Sequence, residues 1–413
     1  MNHSKSFVGF LEIFLSIMLI MSFRTVWLYT DNRNIPRFIT IITIIAIVAL
    51  IGAYIIFYNP TVFVSDILLF LMISAGIITS MIISTLGGNG SLFVRHIGYF
   101  FLLILLFLSY RIDRLKSLVR HFVSVCCVLA SLSLFFWILA ILGVPMNSTL
   151  YINWASKYYA PIKGFLGLFY FSQDFTAFLG MYLPRNTAIF TEAPMCSFVF
   201  CLGLIFDMFI GDEENKHRLG WRQALLIIGI ISTTSTTGIM IVILTLVANL
   251  FRTVKINPLV LVVGAVLSAF VLYAMWQIFL VKTTENSNSV SIRFDDLHAG
   301  VEAWLVHPFF GNGLENILAY LPFIQGYRVM DGGNSGFSSG ALQILMTGGI
   351  FYFTWVIFIP MLRMFHRSRS YLFLALIFLT MLINTVIYDT FMMFFISALF
   401  YALTLRKKEV PVN

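Results

Sequence analysis

The chain has 413 residues, 60% of them from the set Ala, Val, Ile, Leu, Met, Phe, Trp, Tyr and Cys and only 11% charged, against roughly 45–50% apolar and about 25% charged in a soluble domain. With 43 Phe and a mean hydropathy of +0.93, it carries more apolar surface than one water-soluble core hides, so the missing solvent is lipid. The net charge of +8 does not point to nucleic acid, because the 26 Lys and Arg are spread thinly between apolar blocks with no basic tract.

Cys126, Cys127, Cys196 and Cys201 all fall in apolar stretches and lack the CxxC or Cys/His spacing of a metal or redox site, which reads as four small core residues. The first apolar segment, 7–29, follows Lys5 like a signal sequence. It contains Glu12 and Arg24 and lacks a small-residue cleavage site, so it is expected to remain as an uncleaved first helix. A crossing helix takes about 20 mostly apolar residues. By that measure further spans are expected at 38–58, 66–84, 94–110, 122–143, 189–210, 223–250, 258–281, 341–362, 371–387 and 391–405. Two long breaks, 144–188 and 282–340, stand apart from the short connections.

Lys and Arg in short connections are held on the cytoplasmic side. The clusters at 111–121, 211–222, 251–257 and 363–370 and the tail Arg406-Lys407-Lys408 then share that side, and both long breaks fall outside. One conflict arises, because only the segment 223–250 separates two of these clusters. Its middle, Ser232-Thr233-Thr234-Ser235-Thr236-Thr237-Gly238, offers a turn between two short helices, 221–234 and 238–251, each about 20 Å long at ~1.5 Å per residue. Such a bend is tolerable only if buried in protein or facing a water-filled cavity; a single tilted helix is the competing reading. The expected fold is all-α: one polytopic membrane domain over 1–413 with about 12 transmembrane helices, both termini cytoplasmic and two external loops, 144–188 and 282–340.

The loop 144–188 interleaves Tyr151, Trp154, Tyr158, Tyr159, Phe165, Phe169, Tyr170 and Phe171 with Lys157 and Lys163, the composition of an interfacial amphipathic segment, serving either as an aromatic belt or as a surface for a sugar. In 282–340, Ser289 or Ser291 can cap a helix on which Arg293, Leu297, Val301 and Trp304 share one side and Asp295, His298 and Glu302 another. The Asp/His/Glu row reads as a solvated face rather than a metal site, since no further His or Cys completes a ligand set. His307-Pro308-Phe309-Phe310-Gly311-Asn312-Gly313 follows as a stop and turn, and Gly332-Gly333-Asn334-Ser335-Gly336 precedes a span containing Gly348-Gly349. These glycines either let the chain turn or leave backbone N–H groups to meet phosphate. Arg185 and Glu192 are expected on one helical face, two turns apart and beside Pro194. Charges inside an apolar span mark function by default, a structural ion pair being the other reading.

Arg293-Phe294-Asp295-Asp296, followed by Trp304, His307-Pro308 and Gly311-Asn312-Gly313, resembles the signature that opens the large external loop of bacterial O-antigen and capsule polymerases and O-antigen ligases. Phe190-Thr191-Glu192-Ala193-Pro194 is similar to a Glu-Pro element of the polymerases, the run ending in Thr237-Gly238 to a polar turn, and Asn334-Ser335 through Gly348-Gly349 to the entry of their late helices. The resemblance implies a C-type glycosyltransferase-like membrane fold in the bacterial cytoplasmic membrane. It implies metal-independent, cofactor-free transfer on the outer face, joining undecaprenyl-diphosphate-linked repeat units into O-antigen, capsular or exopolysaccharide. Membrane lipid, a flippase and a chain-length regulator are the implied partners. Under it, Arg185, Arg293, Arg328 and Arg95 are the expected diphosphate ligands, because guanidinium holds phosphate oxygens bidentately without losing its charge. Glu192 and His307, with His298 behind them, are the expected bases, and Trp154, Trp304 and Asn334 the expected sugar contacts. Ligases carry a His before the late helix where this chain has Gly332-Gly333-Asn334, which favours polymerase over ligase. A lipid-linked-sugar flippase is the third reading, and the lack of an internal repeat argues against it.

Overall fold

Long runs of Ile, Leu, Phe and Val surrounded by lipid satisfy their backbone only as helices. Helices dominate the computed structural model, which describes residues 2–85, 91–154, 157–173, 176–178, 181–211, 220–253, 287–330 and 335–406. The chain begins with α1 (Asn2–Met21), α2 (Asn34–Tyr58), α3 (Val64–Thr85), α4 (Ser91–Arg111) and α5 (Leu115–Ile141). After a β region come α6 (Ala193–Phe206), α7 (Trp221–Ser232), α8 (Thr236–Thr253), α9 (Ser287–Val306), α10 (Gly340–Phe353), α11 (Ile359–Phe365), α12 (Arg369–Asn384) and α13 (Phe391–Leu403). Six helical stretches among the described residues are long and apolar enough to cross a membrane: Asn34–Tyr58, Val64–Ile83, Val94–Arg111, Leu115–Ile141, Ala193–Ile210 and Gly340–Phe365. Helices α7, α8, α12 and α13 are apolar but shorter, and the expected span 258–281 lies outside the described residues. The core runs along α6 and α13, both buried over their whole lengths.

Three breaks shape the molecule, the second of them the turn expected within 223–250. The first expected helix stops at Met21, and Arg24 turns the chain through the left-handed region (φ 51) into a 3-10 turn over Val26–Tyr29. A later segment imposes this turn: Val26 N donates to Ile189 O and Thr191 N to Arg24 O, each at 3.0 Å. The segment 223–250 divides into α7 and α8, with Thr234 left-handed (φ 52) between them. Hydroxyls replace lost helical partners there, Ser232 Oγ and Thr233 Oγ1 donating to Gly229 O and Ile230 O. Gly238 permits close approach to α6, since a Cβ would lie 1.9 Å from Ser197 Oγ.

The all-α expectation fails over 144–188. β1 (Ser148–Trp154), β2 (Lys157–Phe165) and β3 (Phe169–Phe171) form an antiparallel sheet in that order, and β4 (Thr176–Phe178) pairs with β5 (Met181–Leu183). Aromatic and β-branched residues suit a half-buried pleated surface: Ile152, Ile162 and Tyr170 pack inward on Val26, while Tyr151 faces outward. Left-handed Leu166 and Gly167 close β2 onto β3.

The third break lies in α10, where Gly349 leaves the helical region (φ 65, ψ −176). The segment 308–313 fills the gap: Asn312 N and Gly313 N donate to Met346 O and Thr347 O at 2.8 and 3.0 Å, while Ile350 N and Phe351 N donate to Pro308 O and Phe309 O at 2.9 and 3.0 Å. The N–H groups of Gly311 and Gly313 are engaged within the protein, so these two glycines serve a close backbone crossing and not a phosphate cradle; Gly332 and Gly333 lie outside the described residues.

Polar contacts mark two ends of the bundle. At one, Arg111 grips Asp66 through Nε and Nη2 (2.6 Å each) and reaches Arg406 O, while Arg363 Nε bonds Thr404 Oγ1. There, too, fully buried Glu12 bonds Tyr54, Arg114, Ser117 and His121 at 2.6–3.0 Å. The other end carries β1–β3, the 184–192 passage and the turn at Asp389, which pairs with Arg95.

A methyl group at Gly349 would lie 2.3 Å from Phe309 O and one at Gly311 2.2 Å from Thr347 O, both at positive φ. Gly349→Ala and Gly311→Ala are each expected to cost at least about 2 kcal/mol, read as a lower unfolding midpoint of the detergent-purified protein. Gly52→Ala, with nothing within 4 Å, leaves that midpoint unchanged or raises it.

Candidate functional site

Glu192 stands just before α6 in extended backbone (φ −150, ψ 152), with Pro194 inside the first turn, where its missing N–H costs nothing. The 184–192 passage is not helical, so Arg185 and Glu192 share no helical face as expected. Side chains tie the passage down instead. Asn186 Nδ2 donates to Ser133 Oγ on α5 and Ser232 Oγ on α7, Thr187 Oγ1 to Tyr170 O on β3, and Ser172 Oγ to Thr191 O. Ala188 is left-handed (φ 49), with its N–H on Asn186 Oδ1.

The carboxylate of Glu192 does not cap its own helix; its Oε1 accepts from Trp154 Nε1 at 2.6 Å. Trp154, at the end of β1, meets Tyr29 edge to face with ring centroids 4.5 Å apart, and the Arg24 guanidinium lies 5.7 Å from its ring. Arg185 Nε donates to Thr234 Oγ1 at 3.1 Å and Thr233 O at 3.4 Å, and Arg293 of α9 reaches Thr237 Oγ1 at 3.5 Å. Arg185 therefore anchors on the α7–α8 turn and Arg293 on the first turn of α8.

Four expected site residues, Arg185, Glu192, Arg293 and Trp154, come together, and Arg24 joins them. Burial pushes the Glu192 carboxyl above its ordinary value, opposed by the Trp154 hydrogen bond and by Arg185, Arg24 and Arg293. Burial lowers Arg185 and Arg293 against the pull of neighbouring carboxylates. Among the described residues no guanidinium closes an ion pair with Glu192 within 4.0 Å. Three cations act on this one carboxylate, while Asp296 and Asp389 act in turn on Arg293 and Arg24. Arg24 escaped the sequence reading, although a charge inside the apolar run 7–29 was the signal for it.

The remaining candidates lie elsewhere. Arg328 is 1% exposed and clamped between Asp295 (2.6 Å) and Asp296 (2.8 Å), with a further bond to Gly336 O. Two carboxylates more than offset its single charge, which removes the basis for a diphosphate there; it fastens the turn at 326–328 to α9. Asp295 consequently faces inward, away from His298 and Glu302, which point outward 3.9 Å apart. Trp304 donates its indole N–H to Pro308 O and packs beside Tyr320 and Met346, which makes it a support for the turn that follows α9. Exposed His307 lines a cavity of about 470 Å³ with Ile83 and residues 308–313, a cavity that includes neither Glu192 nor its arginines. Arg95 pairs with Asp389, whose carboxyl burial raises to about 6 against the pull of Arg95 and Arg24. Asn334 lies outside the described residues. No protein-family model matches the chain, and no curated protein sequence matches it.

These placements separate two kinds of arginine. Arg328→Met leaves Asp295 and Asp296 buried without their partner and is expected to cost about 3–5 kcal/mol, seen as loss of the monodisperse species on size exclusion. Arg185→Met, which breaks no ion pair among the described residues, is expected to elute as the wild type does.

Proposed function

We propose that the chain is a multi-pass protein of the bacterial cytoplasmic membrane that polymerises sugar repeat units carried on undecaprenyl diphosphate, working at the outer face. One observation carries the reading: a buried carboxylate, Glu192, bonded to Trp154 and surrounded by Arg185, Arg293 and Arg24 at one end of an apolar bundle. The gathering of Arg111, Arg363 and Arg406 at the other end supports a cytoplasmic side there. About 12 spans, cytoplasmic termini and a C-type glycosyltransferase-like fold belong to the same reading.

In the reaction, a hydroxyl oxygen of the acceptor sugar attacks the anomeric carbon of the donor, and its proton passes to Glu192. The bond from that carbon to the diphosphate oxygen breaks, and its electron pair leaves with the diphosphate. Arg185 and Arg293 hold the departing charge with fixed donors that never deprotonate. Arg24, behind Trp154, adds to the same field. Burial suits Glu192 to the part of base by bringing its pKa toward the working pH, and the Trp154 bond fixes the carboxylate in place.

The test is a ladder of lengthened chains from purified lipid-linked repeat units in vesicles holding the full chain. Glu192→Gln and Arg185→Ala are each expected to slow growth at least ~100-fold while the protein stays folded. Protonation removes the base, so the wild-type rate falls with falling pH through the raised pKa, along an acid limb above the ordinary glutamate value of 4.5. Unchanged ladders from Glu192→Gln would overturn the site. Transfer of finished glycan to another acceptor would make the protein a ligase, and movement of intact units across the bilayer without growth a flippase.

A further inference from the structure

Helix α9 is built inside out for a helix in water. Its Asp295 and Asp296 are 6% and 0% exposed and close on Arg328, and Ala299, Gly300 and Ala303 pack inward with them. The outward side carries Phe294, Leu297, Val301 and Leu305, exposed by 61, 39, 38 and 54%. Spaced three or four residues apart, they form one stripe, which Phe309 (70%) and Phe310 (41%) extend past the helix end. His298 and Glu302 run along its edge.

Water penalises both halves of this arrangement, the exposed apolar side chains and the buried charges. Lipid reverses the preference, since there charged groups face the protein interior in pairs and apolar groups face out. The stripe is also continuous with a lipid-facing surface. Residues 306–313 share a cavity wall with Ile83, the last residue of the span Val64–Ile83, whose Ile78 and Ile82 are 44% and 58% exposed. Helix α9 is itself not among the candidate spans, so the stripe is not the lipid face of a crossing helix.

We propose that α9 is an interfacial helix whose Phe294, Leu297, Val301 and Leu305 stripe lies in the lipid of the bilayer, making 287–310 a membrane-docked element instead of a solvated loop. This holds whichever reaction the protein performs. It bears on the site because Arg293 belongs to the same helix, so contact with the bilayer sets the level at which its guanidinium meets the first turn of α8.

Nitroxide labels on Leu297→Cys, Val301→Cys and Leu305→Cys test it in the full chain, reconstituted in phosphatidylethanolamine and phosphatidylglycerol vesicles. The native cysteines are buried. Power saturation compares access of oxygen, which concentrates in lipid, with access of a water-soluble nickel chelate. The ratio at all three sites is expected to match that of Ile82→Cys within about twofold and to exceed that of Arg367→Cys in the α11–α12 connection. A ratio like that of Arg367→Cys would put the stripe in water and overturn the proposal. Low access to both probes would overturn it too, by showing that protein covers the stripe, whether a second copy or residues 254–286.

Discussion

A backbone N–H or C=O stranded at membrane depth costs several kcal/mol, and the breaks in this bundle are organised around that constraint. Where α10 opens at Gly349, the segment 308–313 supplies donors and acceptors from its own backbone. Where α7 gives way to α8, Ser and Thr hydroxyls take over. Through 186–191, the Asn186 amide and the Thr187 hydroxyl tie an unwound strand to its neighbours.

The polar centre is a by-product of those repairs. Arg185 reads the carbonyl and hydroxyl that the α7–α8 turn exposes, and Arg293 reads a hydroxyl on the first turn of α8. The extended backbone that unwinds before α6 points Glu192 at Trp154 and not at its own helix. A continuous helix through either region would carry these charges on its flank, where nothing organises them. Irregularity at membrane depth is costly, and here it coincides with a place where three arginines gather around one carboxylate.

Much of this was legible in the chain itself. The six long apolar helices follow from uninterrupted apolar runs, and the division of 223–250 was signalled by its Ser/Thr run ending in Gly238. Arg185, Glu192, Arg293 and Trp154 stood out because each is a polar or amphipathic residue in apolar surroundings. The sheet did not stand out, because Pro161 and Gly164 interrupt the alternation of β2 and its aromatics fit an interfacial helix equally well. Arg24 hid inside an apolar run whose left-handed turn is imposed by Thr191, 167 residues away. Arg328 looked like a cation in search of an anion, since nothing local tells that Asp295 and Asp296, more than thirty residues earlier, turn inward to meet it.

Helix α1 is fastened twice. At its middle Glu12 is gripped by Tyr54 of α2 and by Arg114 and Ser117 at the start of α5, and just past its end the carbonyl of Arg24 is bonded by Thr191. A chain anchored at two points acts as a gauge between them. Inserting or deleting one residue between the anchors would rotate one against the other by about 100° and shift it by ~1.5 Å, so that one of them would have to let go. Apolar residues along 13–21 are interchangeable in kind, but their number is not. What this stretch preserves is a length, and that length registers the polar hub at one end of the bundle against the charged centre at the other.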